Sequence, residues 1–193
     1  MPDSDKVENS SRPNPSRAIP KQQSAKLLSL KAHLIFWPLV VIGLALDLWT
    51  KKVVFNRLYE HGSIPIINGF VQLVLAENEG AAFGIAAGQH HLLVTVSVVA
   101  LMVILAIFLC SGTSQRLIHV ALGLVAAGVC GNLWDRIFNN GRVRDFIDVV
   151  YWPGKHWPAF NVADSLLCIG VGLLIISTLF TGKPFQKHSQ PHK

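Results

Sequence analysis

The sequence predicts an all-α membrane protein, built of four transmembrane helices with a small β-sheet in the first outer loop. Three observations carry that expectation. Hydrophobic residues make up 51% of the chain and charged residues only 15%, and the mean hydropathy is +0.42, a balance that suits lipid rather than water as the solvent. Four apolar stretches, 33–54, 92–110, 117–134 and 163–182, approach the length of about 20 residues that a spanning helix needs. Ionisable residues, nearly missing from those stretches, gather at their ends, and Asp135, Asp145 and Asp164 lie where the third stretch closes and the fourth opens. A carboxylate at a membrane boundary is costly to place there unless it has a task.

Each span contains Gly, Ala, Ser or Thr, which lets helices approach closely inside a bilayer. The net charge of +6 raises the question of a nucleic-acid partner, and the placement of the positive residues answers it. Lys6, Arg12, Arg17, Lys21, Lys26 and Lys31 precede the first span, Arg116 lies in the short second connection, and Lys183, Lys187 and Lys193 follow the last span. That pattern puts both termini and the 111–116 turn in the cytoplasm, and no nucleic acid is expected. Lys51, Lys52 and Arg57, with Arg136, Arg142, Arg144 and Lys155, run against this orientation and read as headgroup or site contacts. Residues 1–31 are expected as a disordered cytoplasmic tail, 32–182 as the membrane domain, and 183–193 as a second cytoplasmic tail. The basic start and apolar centre of 26–47 resemble a signal peptide, but no small-x-small cleavage site follows, so the segment is expected to be retained. Cys110, Cys130 and Cys168 fall inside the spans and read as small buried hydrophobes.

The first outer connection is too long for a simple turn. It contains two short β-prone runs, 64–67 and 70–75, joined by Asn68-Gly69, a strong hairpin signal. The 111–116 segment reads as a tight hairpin between the second and third spans. The last connection, with Trp152, Trp157, Pro153 and Pro158, reads as an interfacial loop. Under this topology Asp47, Asn78, Asn132, Asp135, Arg136, Asp145, Asn161 and Asp164 all fall on the outer side, whereas the 111–116 turn carries only Arg116 as a charged residue. An outward-facing polar site in a helical bundle follows.

Each polar residue also has a plain structural reading. Asn132, Asp135 and Arg136 are spaced i, i+3 and i+4, so a helix shows them on one face, where Asp135 pairing with a snorkelling Arg136 is the alternative to a site. Gly128 and Gly131 favour close packing beside that face. Asp47 and Lys51 have the spacing of a simple helical ion pair. Asn78 before Gly80 fits a turn, Asp164 fits a helix N-cap, and Asp145 fits a solvated turn. Two carboxylates sharing one proton offer an acid and a base together, and spacing alone does not decide whether Asp145 or Asp135 partners Asp164. A metal is not expected, because His156 is the one histidine near the carboxylates and no HExxH helix or Cys cluster accompanies it. Serine proteolysis is disfavoured because Ser165 lacks a Gly-x-Ser-x-Gly setting.

Five strings in order settle on one likeness. They are Asp47-Leu-Trp-Thr-Lys51, Asn78-Glu-Gly80-Ala-Ala82-Phe83, Gly128-Val-Cys-Gly131-Asn132-Leu-Trp-Asp135-Arg136, Val143-Arg-Asp145-Phe146-Ile147 and Phe160-Asn161-Val-Ala163-Asp164. With them the chain resembles the lipoprotein signal peptidase family, or signal peptidase II, the aspartyl peptidases of bacterial inner membranes. The resemblance runs over about 33–180. It implies that Asp145 and Asp164 form a catalytic pair activating water, that Asn78, Asn132, Arg136 and Asn161 position the substrate main chain, and that Asp47 supports the site. Lys51, Gly80, Asp135 and Ala163 belong to the same motifs. It further implies cleavage of a prolipoprotein just before its diacylglyceryl-modified cysteine, with membrane lipid and globomycin-type inhibitors as other ligands. Arg144 fills a variable place in its motif, and Glu77 and Glu79 flank Asn78 without a counterpart in the pattern. A proton-coupled carrier is the main rival, but the acids sit at one boundary and no repeat is visible. A noncatalytic assembly subunit would leave the crowded Asp and Asn residues without purpose.

Overall fold

The structure is a computed structural model that describes residues 21–81, 84–111 and 115–181. Four helices, α1 (Lys21–His61), α2 (His90–Cys110), α3 (Arg116–Phe138) and α4 (Val162–Thr181), each contain a segment long and apolar enough to cross a membrane. Four strands complete the fold: β1 (Ile64–Ile67), β2 (Val71–Asn78), β3 (Val143–Trp152) and β4 (Lys155–His156). Residues 1–20 of the expected N-terminal tail, and the whole expected tail at 183–193, lie outside the described residues. The helix over 21–31 occupies part of the stretch expected as a tail.

Packing follows from where the small and polar residues sit. α3 touches α1, α2 and α4 and is the most buried of the four. Its small residues let it take that central place: a Cβ at Gly128 would collide with the Ala163 carbonyl oxygen and lie 2.6 Å from Leu167 Cγ. Gly43 of α1 and Gly170 of α4 make similar approaches to Ala127 and Val125. Outward faces are apolar, as Val41 and Ile42 on α1, Met102 and Val103 on α2, and Ile175 and Leu179 on α4 are all exposed. Such residues satisfy a lipid environment. Cys110 and Cys168 are likewise exposed and Cys130 is half-buried, so the expectation of burial fails for two of the three free thiols. An apolar solvent around the bundle accepts them as readily as a core does.

At one end, Phe36, Phe108 and Leu122 close the core between α1, α2 and α3, with the Phe36 and Phe108 rings stacked 4.1 Å apart. At the other end, Phe55 and Leu58 of α1 receive Phe146 of β3 and thereby seat the sheet on the bundle.

The sheet has the order β1-β2-β3-β4, all neighbours antiparallel. The hairpin at Asn68-Gly69 forms as expected, with Gly69 at φ +72° and Phe70 N–H donating to Ile67 O at 3.0 Å. Two differences matter for the site. β2 continues to Asn78, beyond the expected end at 75, and the last connection supplies β3 and β4 where an interfacial loop was expected. Half of the sheet therefore comes from outside the first outer loop. The registers Leu73↔Ile147 and Ala76↔Asp145 leave one more residue on β2 than on β3, a bulge beside the site. Bulges of this kind re-aim side chains.

Candidate active site

The carboxylates meet toward the sheet end of the bundle, where α3 finishes and α4 begins, against the second half of α1. Asp47 and Lys51 share a helix face, and their ion pair spans 2.7 Å with both side chains wholly buried. Lys51 Nζ also lies 3.2 Å from Asp135 and donates to Asn132 Oδ1 at 3.3 Å. Asp135 accepts from Arg144, through the backbone N–H at 2.9 Å and the guanidinium at 2.6 and 3.1 Å. Two acids and two bases thus balance in the interior, the condition under which buried charges are tolerated. Asp135 does not pair with Arg136. That guanidinium instead donates to Gly80 O at 2.9 Å and Asn132 O at 3.3 Å.

Asn161 opens α4 as its N-cap. Its Oδ1 accepts from Asp164 N–H at 3.0 Å, while Asp164 Oδ2 accepts from Asn161 N–H at 3.1 Å, a reciprocal capping box. The expectation that Asp164 itself caps the helix is corrected: it is the returning partner, and its other oxygen faces Asn132 Nδ2 at 2.7 Å. The Asn161 amide reaches Asp145 Oδ1 at 2.7 Å and Asn132 Oδ1 at 3.1 Å. Asn78 donates to Asp145 Oδ2 at 3.2 Å and accepts from Gly80 N–H at 2.9 Å, so its turn and its site contact coexist. Asp47 Oδ1 accepts from Ala163 N–H at 2.9 Å, fastening α4 to α1.

Every singled-out residue joins this network: Asp47, Lys51, Asn78, Gly80, Asn132, Asp135, Arg136, Asp145, Asn161, Ala163 and Asp164. Asp145 and Asp164 share a cavity of about 730 Å³ with Asn78, Asn132 and Arg136 on its polar side. Val96, Ala100 and Val129 from α2 and α3, with Trp157 and Phe160, supply much of its apolar wall. Asp145 is 2% exposed, not a solvated turn residue. Burial, and next the charge of Asp164, push its pKa up to about 7, against the opposing pull of Asn78, Asn161 and Lys51.

Two features escape the sequence. Arg144, read as a variable position, is the counter-ion of Asp135. The imbalance of two buried acids against Lys51 alone was the available signal. Asp148, which no sequence motif marks, is buried and accepts from His156 and Gln72. Among the described residues no group of three His, Cys, Asp or Glu side chains is placed to hold a metal ion.

Fold and site together define a multi-pass membrane protein with two carboxylates lining one cavity at one end of a four-helix bundle. The model of the signal peptidase (SPase) II family matches residues 39–180, and the chain belongs to that peptidase family. It is 43% identical over 148 residues to the lipoprotein signal peptidase of Geobacter sulfurreducens, covering 75% of this chain and 91% of that protein. A lipoprotein signal peptidase of Syntrophotalea carbinolica is 40% identical over 157 residues, covering 79% and 93%. A solved bacterial membrane enzyme, determined by the in meso method at 2.3 Å resolution, superposes with a TM-score of 0.68 at 29% identity, covering 86% of this chain and 94% of that one.

Proposed function

We propose that this chain is an aspartyl endopeptidase that removes the signal peptide from diacylglyceryl-modified prolipoproteins, cutting before the lipidated cysteine. The observation that carries the reading is that Asp145 and Asp164 line one cavity and are joined through Asn161. Near neutral pH the pair holds one proton, seated on Asp145 by burial and by the neighbouring charge. Asp164 takes a proton from water as that water attacks the scissile carbonyl. Asp145 gives its proton to the carbonyl oxygen, and collapse of the tetrahedral intermediate expels the amine with a returned proton. Asn78, Asn132, Arg136 and Asn161 bind the substrate main chain around the pair, and Gly80 and Ala163 present backbone groups that hold Asn78 and Asp47 in place. A cavity walled by residues of membrane helices suits a substrate confined to the bilayer by its acyl chains. Membrane lipid and globomycin-type inhibitors are expected to enter the same space.

We place the enzyme in a bacterial inner membrane with both termini cytoplasmic and the site toward the periplasm. Of the seven basic residues that run against this orientation, three are engaged by acids of the protein. Lys51 pairs with Asp47 and Asp135, Arg144 with Asp135, and Arg142 with Glu77 and Glu79.

Purified enzyme incubated with lipid-modified precursor should release a signal peptide ending just before the modified cysteine, identified by mass. Asp145→Asn and Asp164→Asn should each lower the rate at least about 10³-fold, as loss of a component of an acid-base pair does, while still inserting. Full activity in either variant removes that residue from the pair. Cleavage of unmodified precursor at equal rate removes the lipid requirement.

A further inference from the structure

Outside the carboxylate network lies a second buried acid that the chemistry above does not use. Asp148 of β3 is 6% exposed. It accepts from Gln72 Nε2 at 2.6 Å and from His156 Nδ1 at 2.8 and 3.0 Å. Gln72 stands opposite it on β2 and His156 belongs to β4, so one carboxylate links three neighbouring strands. An ionised carboxylate only accepts, which makes His156 Nδ1 the donor.

What this linkage holds is the edge of the cavity. β4 is two residues long and has little pairing of its own. The chain leaving it, residues 157–160, lines the cavity, and the next residue is Asn161. Backbone bonds secure this segment at its ends, Trp157 N–H to Val149 O at 2.8 Å and Phe160 N–H to Ile147 O at 3.0 Å. Pro158, between them, has no N–H to give. The bond from His156 to Asp148 adds a side-chain tie beside the Trp157 backbone bond where the segment enters the wall, and it is charge-assisted and shielded on the Asp148 side.

We propose that Asp148 and His156 are positioning residues that pin the 157–160 segment as a preformed wall for the substrate, an inference that rests on the peptidase function above. A wall that must be ordered by the substrate weakens binding. Asn161 is held separately by its capping box with Asp164 and by Asn132, so the reacting pair keeps its geometry. The loss falls on KM rather than kcat.

Two substitutions at the half-exposed histidine test this with little risk to folding. His156→Phe keeps a ring but has no donor, and His156→Asn restores an N–H near the position of Nδ1. For His156→Phe, KM for lipid-modified precursor should rise about ten-fold with kcat within about two-fold, the size expected for one charge-assisted hydrogen bond. His156→Asn should stay near the parent. Amide hydrogen exchange at Trp157 and Phe160, whose N–H groups are bonded to β3, measured without substrate, should speed up about ten-fold in the Phe variant only. Unaltered exchange in His156→Phe overturns the inference whether or not a chosen precursor is cut. So does a fall in kcat at constant KM, the mark of general destabilisation, or an Asn variant as impaired as the Phe variant. Failure of the parent enzyme to cut any lipid-modified precursor counts instead against the peptidase reading.

Discussion

Asp145 concentrates the residue-scale physics of the site, because one proton on it affects both stability and rate. An unfolded aspartate releases that proton near pH 4, whereas the folded site keeps it to about pH 7. Between those values the native state binds more protons than the unfolded state. The stability from this group is therefore complete below about pH 4 and is lost as the pH rises through about 7. The thermal midpoint in detergent should fall between about pH 5 and pH 8, and Asp145→Asn should flatten that fall because nothing remains at 145 to titrate. The rate should decline above about pH 7 as the same proton leaves. A midpoint slope identical in parent and variant would mean that the proton resides elsewhere. Lys51 shows the opposite strategy at the same scale: it stays buried because Asp47 and Asp135 both face it and Asn132 takes a further N–H. Glu77 and Glu79, which had no place in the family pattern, are tied by a single exposed guanidinium, Arg142. Their hydrogen bond and charge hold Arg142 above its ordinary pKa.

At the scale of elements, glycine contacts set how closely the helices carrying the acids approach. Gly128 faces Ala163 and Leu167, and a Cβ at Gly131 would collide with the Asp47 carboxylate. Gly128→Ala should push α4 from α3 and cost about 1–3 kcal/mol, the usual penalty for overfilling a packed contact. Activity should fall with it, because Ala163 adjoins Asp164. Gly172→Ala is the control, since a Cβ there meets nothing within 4 Å, and its midpoint should be unchanged or slightly higher. Equal midpoints for the two variants would show that this contact yields freely. Elements also mark where sequence reading succeeds. The spans are legible because lipid demands long apolar runs, and the β1–β2 hairpin because Asn68-Gly69 is a local signal. β3 is not, since Asp145 and Asp148 interrupt its apolar pattern and each finds partners on other strands or helices. The meeting of Asp145 with Asp164 was equally out of reach of local pattern: Asn161 and Asn132 join them through contacts between separate elements.

For the whole molecule, the antiparallel order of the helices puts the sheet and all the carboxylates of the network at one end, and Ser111 and Gln115, where α2 ends and α3 begins, at the other. Tyr151, Trp152 and Trp157 are exposed beside the sheet, where amphipathic rings suit the headgroup layer. The proposed orientation thus reduces to which end faces the cell exterior. Lys155 is exposed at the β3–β4 turn and Gln115 is exposed just before α3, so cysteines at these positions report opposite ends. In a background with Cys110, Cys130 and Cys168 replaced by alanine, a membrane-impermeant maleimide applied to spheroplasts should label Lys155→Cys at once. Gln115→Cys should react only after lysis. This result is expected because the basic residues before the first span, at Arg116 and after the last span outnumber those near the sheet, and such an excess marks the cytoplasmic side. Labelling of Gln115→Cys from outside would invert the molecule and overturn the proposed periplasmic site.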